Sequence, residues 1–375
     1  MRIGFLTLRM LLGYGVDLVI AQLARRLAAG GHSVVVFATE FDQTHAGTGF
    51  RLEKLEIPGG EFNRALPLYE LNAGRALRGL RCRLADFDLL VPCTFPFYGV
   101  RSHFAGPVVH FDFGNVPTRG FTLRGRLNWL YLHLLEAYVH TLRADAVLTI
   151  SQFLARRFLP EVRRRLEVLY LGGDHYWREM LARGESAQAL REELRGRLGI
   201  GRGEVVLACC TRLHRRHAPY KNLPQLLEMF QRLRAHGQPV RLLLAGRGSP
   251  EDAAWLRGAG ALVLANLPPQ QMPAFYAAAD FYASPSEWEG FNLPLVEAAW
   301  FGVPAVAYAV AAHPETGAPV LVASPHEFYQ ALSHLAGDAA LRRRLGAAGR
   351  ARAQRFTWDA AYRRFLRVLE GLAGR

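Results

Sequence analysis

Two glutamates in the segment SPSEWEGFNLPLVEAAWFGVP (284–304) stand where a bound ligand could meet the start of a helix. Glu289 and Glu297 are separated by seven residues, and Gly290 after the first lets the backbone approach a ligand closely. Pro294 suits the first turn of a helix, and the final GVP suits a helix end. The segment therefore predicts a strand, a loop and a short helix.

The start of this helix could bind a phosphate group. Backbone N–H groups in the first turn of a helix have no intrahelical partner and attract anions. Glu297, one turn into the helix, could accept hydrogen bonds from ribose hydroxyls, and Glu289 would face whatever lies beyond the phosphate. The alternative is a capped helix with two solvated carboxylates, but the combination of features favours a binding site. The backbone groups concerned belong to Gly290, Phe291, Asn292 and Leu293.

A rare lysine marks a second loop. Lysine occurs only twice among the 46 basic side chains, as Lys54 and Lys221. Lys221 follows the basic cluster of HRRHAPY (214–220), which either adds positive potential or forms a solvated loop. Asn222 is a good N-cap, and Gln225 three residues later completes a weak capping-box pattern. The pattern predicts that Lys221 lies directly before a helix.

Short apolar runs, which predict buried strands, alternate with helical patterns along almost the whole chain. Helical patterns lie between several of these runs, for example at 16–30, which ends on a pair of glycines, and at 186–198. This alternation is typical of doubly wound α/β domains with parallel sheets. The strand-like runs are 2–7, 33–38, 87–92, 106–111, 146–151, 167–171, 205–210, 240–246, 261–266, 281–286 and 304–308.

The α/β pattern passes through the chain twice and predicts two Rossmann-like domains, at residues 1–175 and 176–357. The last helix, 358–375, follows the second sheet and is expected to pack back on the first domain. Ligands of such folds bind at the carboxyl ends of the strands. We therefore expect an interdomain cleft lined by the loops described above.

The composition is that of a globular protein with an excess of basic residues. The chain has 375 residues, half of them hydrophobic and 21% charged, and a formal net charge of +14. This charge either favours phosphorylated substrates, a membrane surface or nucleic acid, or reflects a compositional bias toward arginine. Nucleic-acid binding would rest on charge alone and is not expected.

Cysteine usage and hydropathy predict a cytoplasmic protein, or one that is peripheral on the inner face of a membrane. The four cysteines form no C-x-x-C pair, and such usage suits a reducing compartment. The N-terminal stretch MRIGFLTLRML breaks at GYGVD without a cleavage site and predicts a first strand, not a signal peptide. No apolar run reaches the ~20 residues that would span a bilayer.

The segment EGFNLPLVE, followed by AAWFGVPAVAY and HPETG, resembles the signature of glycosyltransferase family 4, which comprises retaining enzymes of the GT-B fold. TRLHRRHAPYKN resembles the phosphate clamp of that family, and LLLAGRGSP resembles its glycine-rich strand end. LLGYGVDLVIAQLARRLAAGGHSVVVFA resembles the N-terminal glycine loop with the helix and strand that follow it. The resemblance covers nearly the whole chain.

This resemblance implies a role for each candidate residue. Glu289 would contact the donor sugar and Glu297 the ribose. Arg212 and Lys221 would hold the diphosphate of a nucleotide sugar, the first as a planar fork and the second as a point charge on one oxygen. The amides after Gly290 would share this task. The glycines of the strand end and of the N-terminal loop, Gly246, Gly13 and Gly15, would lie against the phosphate and the sugar.

The acceptor-side assignment in the N-terminal domain has two candidates. The family often has a histidine at a strand end that faces the donor sugar. Here VVHFDFGNVP (108–117) offers His110 and Asp112, which lie two residues apart and hence on one face of an extended segment. Asp112 is the preferred catalytic residue because it lies nearer the strand end.

The resemblance implies that the protein moves a hexose from a nucleotide-diphosphate sugar to an acceptor hydroxyl with retention. The acceptor would be a glycan, a lipid-linked molecule or a small molecule. No metal and no cofactor would be required, because the clamp and the helix amides would neutralise the leaving diphosphate. The alternative is a non-catalytic nucleotide-sugar-binding or membrane-associated scaffold protein of the same fold.

Two other enzyme classes fit less well. A glycoside hydrolase would use two carboxylates but would not need the clamp. A nicotinamide dehydrogenase would need G-x-G-x-x-G after the first strand, and GYGVDL has only its first two glycines.

An anionic membrane surface is a further candidate partner. The segment 64–126 has nine arginines against four acidic residues, together with leucines and aromatic residues. It forms either an ordinary surface helix or a membrane contact.

Overall fold

The computed structural model describes residues 1–42, 49–56, 68–118, 121–214, 219–316 and 320–373. Its contacts divide the chain into two compact units. The first comprises Met1–Tyr170 together with Ala361–Arg375, and the second comprises Leu171–Ala360. The division falls a few residues before the boundary expected after residue 175, and the chain returns to the first unit within its last helix.

The first unit is built on parallel strands. Its strands are β1 (Arg2–Met10), β2 (Ser33–Phe41), β3 (Arg51–Lys54), β4 (Leu89–Pro92), β5 (Val109–Asp112), β6 (Ala146–Thr149) and β7 (Leu166–Val168). They form two sheets, in the orders β3-β2-β1-β4 and β5-β6-β7, and a parallel bridge between Leu90 and Val108 joins them. The α-helices are α1 (Gly15–Ala29), α2 (Leu68–Gly79), α3 (Arg81–Leu84), α4 (Leu123–Leu135), α5 (Thr141–Arg143), α6 (Gln152–Ala155) and α7 (Pro160–Arg163). A 3₁₀ helix spans Phe97–Ser102, and a π-helical turn, Glu136–His140, joins α4 to α5.

The second unit contains a six-stranded parallel sheet. Its strands are β8 (Val205–Cys210), β9 (Val240–Gly246), β10 (Leu262–Ala265), β11 (Phe281–Ser284), β12 (Ala305–Tyr308) and β13 (Val320–Val322). The helices are α8 (His175–Ala182), α9 (Ala187–Arg197), α10 (Leu223–Ala235), α11 (Pro250–Gly258), α12 (Met272–Ala278), α13 (Leu293–Trp300), α14 (His313–Thr316), α15 (Pro325–Gly337), α16 (Ala339–Ala353) and the start of α17 (Trp358–Ala373).

The order of this sheet, β10-β9-β8-β11-β12-β13, reverses its direction of winding between β8 and β11. In open α/β sheets, ligands bind beside such a point, outside the carboxyl ends of the strands. The loops that leave β8 and β11 are therefore the ones best placed to hold a ligand. They are also the loops that the sequence singled out.

The doubly wound α/β fold predicted from the sequence is confirmed. The helical patterns at 16–30 and 186–198 form α1 and α9, with ends within a residue or two of the expected ones. The strand β13 was not predicted, because its apolar run is only three residues long and follows Pro319. Within the described ranges, no helix is long and apolar enough to cross a membrane.

The last helix completes the core of the first unit. Phe365 of α17 is fully buried, and its ring centroid lies 6.0 Å from that of Phe5 and 6.1 Å from that of Phe111. The first turn of the same helix is fixed within the second unit, where the Trp358 amide donates to Asp174 Oδ1 at 2.8 Å. The two ends of α17 thus belong to different cores.

A glycine allows α16 to lie against the end of α13. A Cβ added to Gly346 would lie 2.0 Å from the carbonyl oxygen of Gly302, which follows α13 with a φ of +71°. Any larger residue at 346 would have to push the helix away. This contact positions α13, whose N-terminus carries the predicted site.

We expect Gly346→Ala to destabilise the protein by roughly 1–3 kcal/mol, because the added methyl group overpacks the contact with Gly302. Gly196→Ala is the matched control. Gly196 is also helical, and a Cβ there would meet nothing within 4 Å, so alanine should be neutral or stabilise by up to about 1 kcal/mol. Thermal unfolding followed by circular dichroism compares the two variants, and equal melting temperatures would contradict the close approach.

Candidate functional site

Two loops at the carboxyl edge of the second sheet carry most of the predicted residues. One follows β8 and ends at Lys221, and the other follows β11 and leads into α13. The Glu287 amide donates to the Tyr220 carbonyl at 2.7 Å, and the Trp288 ring meets Tyr220 edge-on with centroids 6.0 Å apart. The two loops therefore form one local structure although they are far apart in sequence.

Lys221 and Glu289 form an ion pair between these loops. Lys221 Nζ lies 2.7 Å from Glu289 Oε1, and the side chains are 18% and 12% exposed. Burial by itself raises the pKa of Glu289, but attraction to Lys221 and hydrogen bonds from Lys221 and Ser286 outweigh it and lower the pKa. Glu289 is therefore a carboxylate at neutral pH, held against an ammonium.

The start of α13 is fixed by Asn292, which has left-handed backbone angles of φ 53° and ψ 67°. Its side-chain Nδ2 donates to Ser284 Oγ at 2.8 Å and to His313 Nε2 at 2.9 Å. The predicted helix start is confirmed, with Leu293 as the first helical residue and Pro294 in the first turn. Gly290 and Phe291 are buried beside it, so the backbone at this helix end is held rigidly.

His313 supports Asn292 as a neutral imidazole. Its Nδ1 lies 2.8 Å from the Tyr308 carbonyl oxygen, so the proton belongs on Nδ1, and Nε2 accepts from Asn292. Burial lowers the pKa of His313, and Lys221 lowers it further, against the opposing effects of Glu289 and the Tyr308 carbonyl. The imidazole thus joins the loop after β12 to the start of α13.

Lys221 ends a 3₁₀ turn, Pro219–Lys221, directly before α10, as predicted. The predicted capping box is wrong. Asn222 occupies the N-cap position, but its φ of 50° is left-handed where a capping residue is normally extended. Its Nδ2 instead donates to Gln225 Oε1 at 3.0 Å and to Glu287 Oε1 at 3.2 Å. Of the basic cluster before Lys221, residues 215–217 lie outside the described residues.

Arg212 lies on an extended segment beside Gly246. The amides on either side of it, from Thr211 and Leu213, donate to the carbonyls of Ala245 and Arg247 at 3.0 and 2.7 Å. Gly246 has a φ of +142°, and a Cβ there would lie 1.7 Å from the Thr211 carbonyl oxygen. Only glycine at position 246 therefore lets the end of β9 lie this close to the backbone of Thr211. The Arg212 side chain is exposed.

Glu297 is buried on α13 with partners different from those of Glu289. It is 4% exposed, accepts a hydrogen bond from the Tyr276 hydroxyl at Oε2, and has His175 Nε2 at 3.5 Å from Oε1. Burial raises its pKa to about 7, although the Tyr276 hydrogen bond opposes the shift. Near neutral pH this carboxyl group therefore exchanges readily between its two protonation states.

In the first unit, Gly13 and Gly15 lie in the turn between β1 and α1. Gly13 has a φ of +82°, and Gly15 is the first residue of α1, where a Cβ would meet nothing within 4 Å. Two carboxylates fix the preceding backbone: Asp17 Oδ2 accepts from the Leu11 amide at 2.8 Å, and Asp42 Oδ2 accepts from the Leu12 amide at 2.8 Å. Sequence reasoning missed both anchors.

Asp112 lies at the end of β5 inside a buried polar cluster and is 1% exposed. Its Oδ2 accepts from Thr149 Oγ1 at 2.9 Å, and its Oδ1 accepts from the Gly114 amide at 2.9 Å and from the Arg157 guanidinium. His110, the other candidate, is equally buried and lies 3.3 Å from Glu136 Oε1 through Nε2. Both candidate side chains thus belong to one buried cluster, and each contacts other polar groups of that cluster.

One arginine serves both carboxylates of this cluster. Arg157 contacts Asp112 and also lies 3.2 Å from Glu136 Oε1. Burial raises the pKa of Asp112 to about 7 despite Arg157, with Glu136 adding to the shift. Burial also acts on Glu136, but hydrogen bonds from His110 and Asn115 and attraction to Arg157 lower its pKa to about 2. Glu136 therefore holds the negative charge, and Asp112 titrates near neutrality.

The sequence did not identify His313, Glu136 and Arg157 as parts of these clusters. The sequence position of His313 could have identified it, because it lies shortly after β12. The strands β11 and β12 are parallel neighbours, so their carboxyl ends lie at the same edge of the sheet. Glu136 and Arg157 come from separate elements with no shared spacing. Only the folded chain brings them to Asp112.

Two protein-family models match the chain. The model described as Glycosyltransferase Family 4 matches residues 14–175, and the model described as Glycosyl transferases group 1 matches residues 204–338. The first covers most of the first unit, and the second covers both loops of the Lys221–Glu289 pair.

Curated relatives share part of their length with this chain. The O-antigen chain mannosyltransferase B of Escherichia coli is 34% identical over 153 residues, which are 38% of this chain and 40% of that protein. The D-inositol 3-phosphate glycosyltransferase of Corynebacterium aurimucosum is 32% identical over 188 residues, 46% of this chain and 44% of that protein. The chain thus spans about two fifths of the length of these relatives.

Solved structures resemble the chain over nearly its full length. HepE of Anabaena, solved in complex with UDP and glucose, has a TM-score of 0.76 at 17% identity, covering 99% of this chain and 100% of that chain. Sucrose-phosphate synthase of Thermosynechococcus elongatus has a TM-score of 0.77 at 19% identity, covering 99% and 98%. At such identities the likeness is one of fold. The chain thus has the GT-B fold, and the two family models assign residues 14–175 to Glycosyltransferase Family 4 and residues 204–338 to Glycosyl transferases group 1.

Proposed function

We propose that the protein is a retaining glycosyltransferase that moves a hexose from a nucleoside-diphosphate sugar to the hydroxyl group of a glycan, lipid-linked or small-molecule acceptor. The observation that carries this proposal is the Lys221–Glu289 ion pair beside the start of α13, at the point where the sheet reverses its winding. This arrangement offers positive groups for a diphosphate and a carboxylate for the sugar next to it. The relatives named as mannosyl- and inositol-phosphate glycosyltransferases support the same class of reaction.

The diphosphate would lie against the first turn of α13. The amides at Phe291, Asn292 and Leu293 present the positive end of the helix dipole. Lys221 has three N–H donors, of which one is directed at Glu289, so the same ammonium can also donate to a phosphate oxygen. Arg212, beside Gly246, would add a bidentate contact from the neighbouring strand end.

In the reaction, the bond between the sugar C1 and the leaving phosphate oxygen breaks, and a bond from C1 to the acceptor oxygen forms on the same face. The acceptor proton passes to the leaving phosphate oxygen. Lys221, Arg212 and the helix amides stabilise the charge that develops on the diphosphate, without a metal ion. Glu289 orients the sugar through its carboxylate, which stays ionised beside Lys221.

The acceptor-side role of Asp112 fits a positioning residue. Its oxygens are engaged by Thr149, Gly114 and Arg157, so it would act through the buried cluster that it organises. We further propose that the protein works in the cytoplasm, since Cys82, among the four cysteines, is an exposed free thiol, as suits a reducing compartment.

The first test is a thermal-shift screen against UDP-, GDP- and ADP-sugars, followed by transfer assays with the donor that binds. The correct donor should raise the melting temperature by mass action, and its nucleoside diphosphate should be released with the anomeric configuration retained in the product. Added EDTA should leave the rate unchanged. A donor that binds but is neither transferred nor hydrolysed would support the non-catalytic alternative, and activity restored only by magnesium or manganese would contradict the proposed charge stabilisation.

A second prediction compares the only two lysines of the chain. Lys221→Arg keeps the charge but replaces a compact ammonium, held in a mostly buried pair, by a planar fork. We expect turnover to fall about tenfold to a hundredfold, and Lys221→Ala to lose more. Lys54 lies exposed on β3, so Lys54→Arg should leave turnover unchanged. Steady-state kinetics decide the question, and equal turnover in both arginine variants would mean that position 221 needs only a positive charge.

A third prediction concerns pH. A ribose hydroxyl donates best to an ionised carboxylate, and the pKa of Glu297 is about 7. The protonated form dominates below that pH, so donor affinity should fall as pH drops from about 8 to about 6, approaching tenfold per unit. Titration calorimetry at several pH values measures this.

Two variants assign the pH dependence. Glu297→Gln should bind the donor more weakly at about pH 8 and lose the dependence. Glu289→Gln should retain it, because the pKa of Glu289 is lowered. A dependence that persists in Glu297→Gln and disappears in His175→Ala would instead assign it to the facing imidazole.

A further inference from the structure

The ring of His175 lies between Glu297 and the start of α17. Its Nε2 lies 3.5 Å from Glu297 Oε1, and its Nδ1 accepts a hydrogen bond from the Trp358 indole N–H at 3.1 Å. The His175 side chain is 8% exposed, and Trp358 is fully buried. The imidazole thus connects the carboxyl group that we propose for the ribose to a buried indole.

Two glycines bring His175 into this place. A Cβ added to Gly173 would lie 3.1 Å from the Glu297 amide nitrogen, and one added to Gly172 would lie 2.2 Å from the Trp358 amide nitrogen. A segment with side chains at these two positions could not pass so close to both helices. The backbone before His175 is therefore held on two sides, and the position of the ring follows from it.

The contact with Trp358 fixes which nitrogen of His175 carries the proton. An indole N–H can only donate, so Nδ1 accepts and carries no proton. In the neutral imidazole the proton then belongs on Nε2, the nitrogen that faces Glu297. A second proton, on Nδ1, would break the bond from the buried indole. The Trp358 contact thus disfavours the imidazolium ion and keeps the ring as an N–H donor toward Glu297.

Among the described residues, the other titratable groups that interact with Glu297 stay neutral near neutral pH. They come from α8, α12, β8 and β11, and burial raises the pKa of each one. They are the hydroxyls of Tyr176, Tyr276 and Tyr282 and the thiol of Cys210.

We propose that His175 is a positioning residue for Glu297. Its Nε2–H attracts Oε1 while the Tyr276 hydroxyl donates to Oε2, and the two together fix the plane of the carboxylate. A carboxylate has about four acceptor sites, so each oxygen keeps one for a ribose hydroxyl. The statement about the ribose rests on the proposed function, whereas the statement about Glu297 does not.

Two amide variants of His175 form a matched pair. Asparagine can place its oxygen where Nδ1 lies and accept from Trp358, but it is too short to reach Glu297. Glutamine is one bond longer and can place an N–H where Nε2 lies. The two variants therefore differ in the donor toward Glu297.

The first measurement is the titration midpoint of Glu297, followed by NMR of the labelled side-chain carboxyl carbon and assigned by its loss in Glu297→Gln. The Nε2–Oε1 distance exceeds that of an ordinary N–H···O bond, so we expect a moderate effect. Because the ionised form loses a donor, His175→Asn should raise the midpoint by about half a unit to one unit, and His175→Gln should return it toward the wild-type value.

Donor binding should change in the same sense. His175→Asn should weaken the binding of the nucleoside-diphosphate sugar about twofold to fivefold at about pH 7, and hardly at all at about pH 9, where Glu297 is ionised in both proteins. In the Glu297→Gln background, His175→Asn should have no further effect.

The wild type alone provides another test. Nitrogen NMR of the labelled histidine ring should show a protonated Nε2 and an unprotonated Nδ1, and the opposite tautomer would overturn the proposal even if the variants failed to fold.

For folded variants, as judged by their melting curves, an unchanged midpoint in His175→Asn would also overturn the proposal. So would an equal rise in both amide variants, which would mean that the imidazole only fills space. Failure of the wild type to bind any nucleoside-diphosphate sugar would instead contradict the proposed function, and the carboxyl titration would still decide the role of His175.

Discussion

The ion pair between Lys221 and Glu289 sets the main constraint on the second unit. Removing a carboxylate or an ammonium from water costs several kcal/mol, so neither group stays buried without the other. The two residues come from loops after β8 and β11, strands that are neighbours in the sheet but far apart in the chain. Both loops must therefore keep their shapes together, and the Glu287–Tyr220 bond and the Asn292–His313 contact serve that end. The edge that we propose as the donor site is thus held together by contacts within the protein itself.

Much of this edge could be predicted from the sequence because its elements are local. The glycine, proline and glutamates around 289–297 lie in one short segment, and their spacing identifies a loop and a helix start. Lys221 stood out because lysine is so rare in the chain. The conformation of Asn222 was not predictable, since its left-handed backbone follows from contacts with Glu287 on the other loop.

In the first unit, the contacts of the candidate residues could not be predicted from the sequence. Asp112 and His110 were identified by their place at a strand end, yet their surroundings depend on Glu136 and Arg157, which no spacing connects to them.

The return of α17 to the first unit affects how the chain is made. The ribosome releases Met1–Tyr170 before Leu171–Ala360, but Phe365 packs between Phe5 and Phe111 only after α17 has emerged as well. The unit that is synthesised first is thus the last to complete its core, while Leu171–Ala360 is already whole. Domains commonly fold as units in the order of synthesis. Here that order is inverted, so the nascent first unit exposes apolar surface until α17 has been translated and covers it.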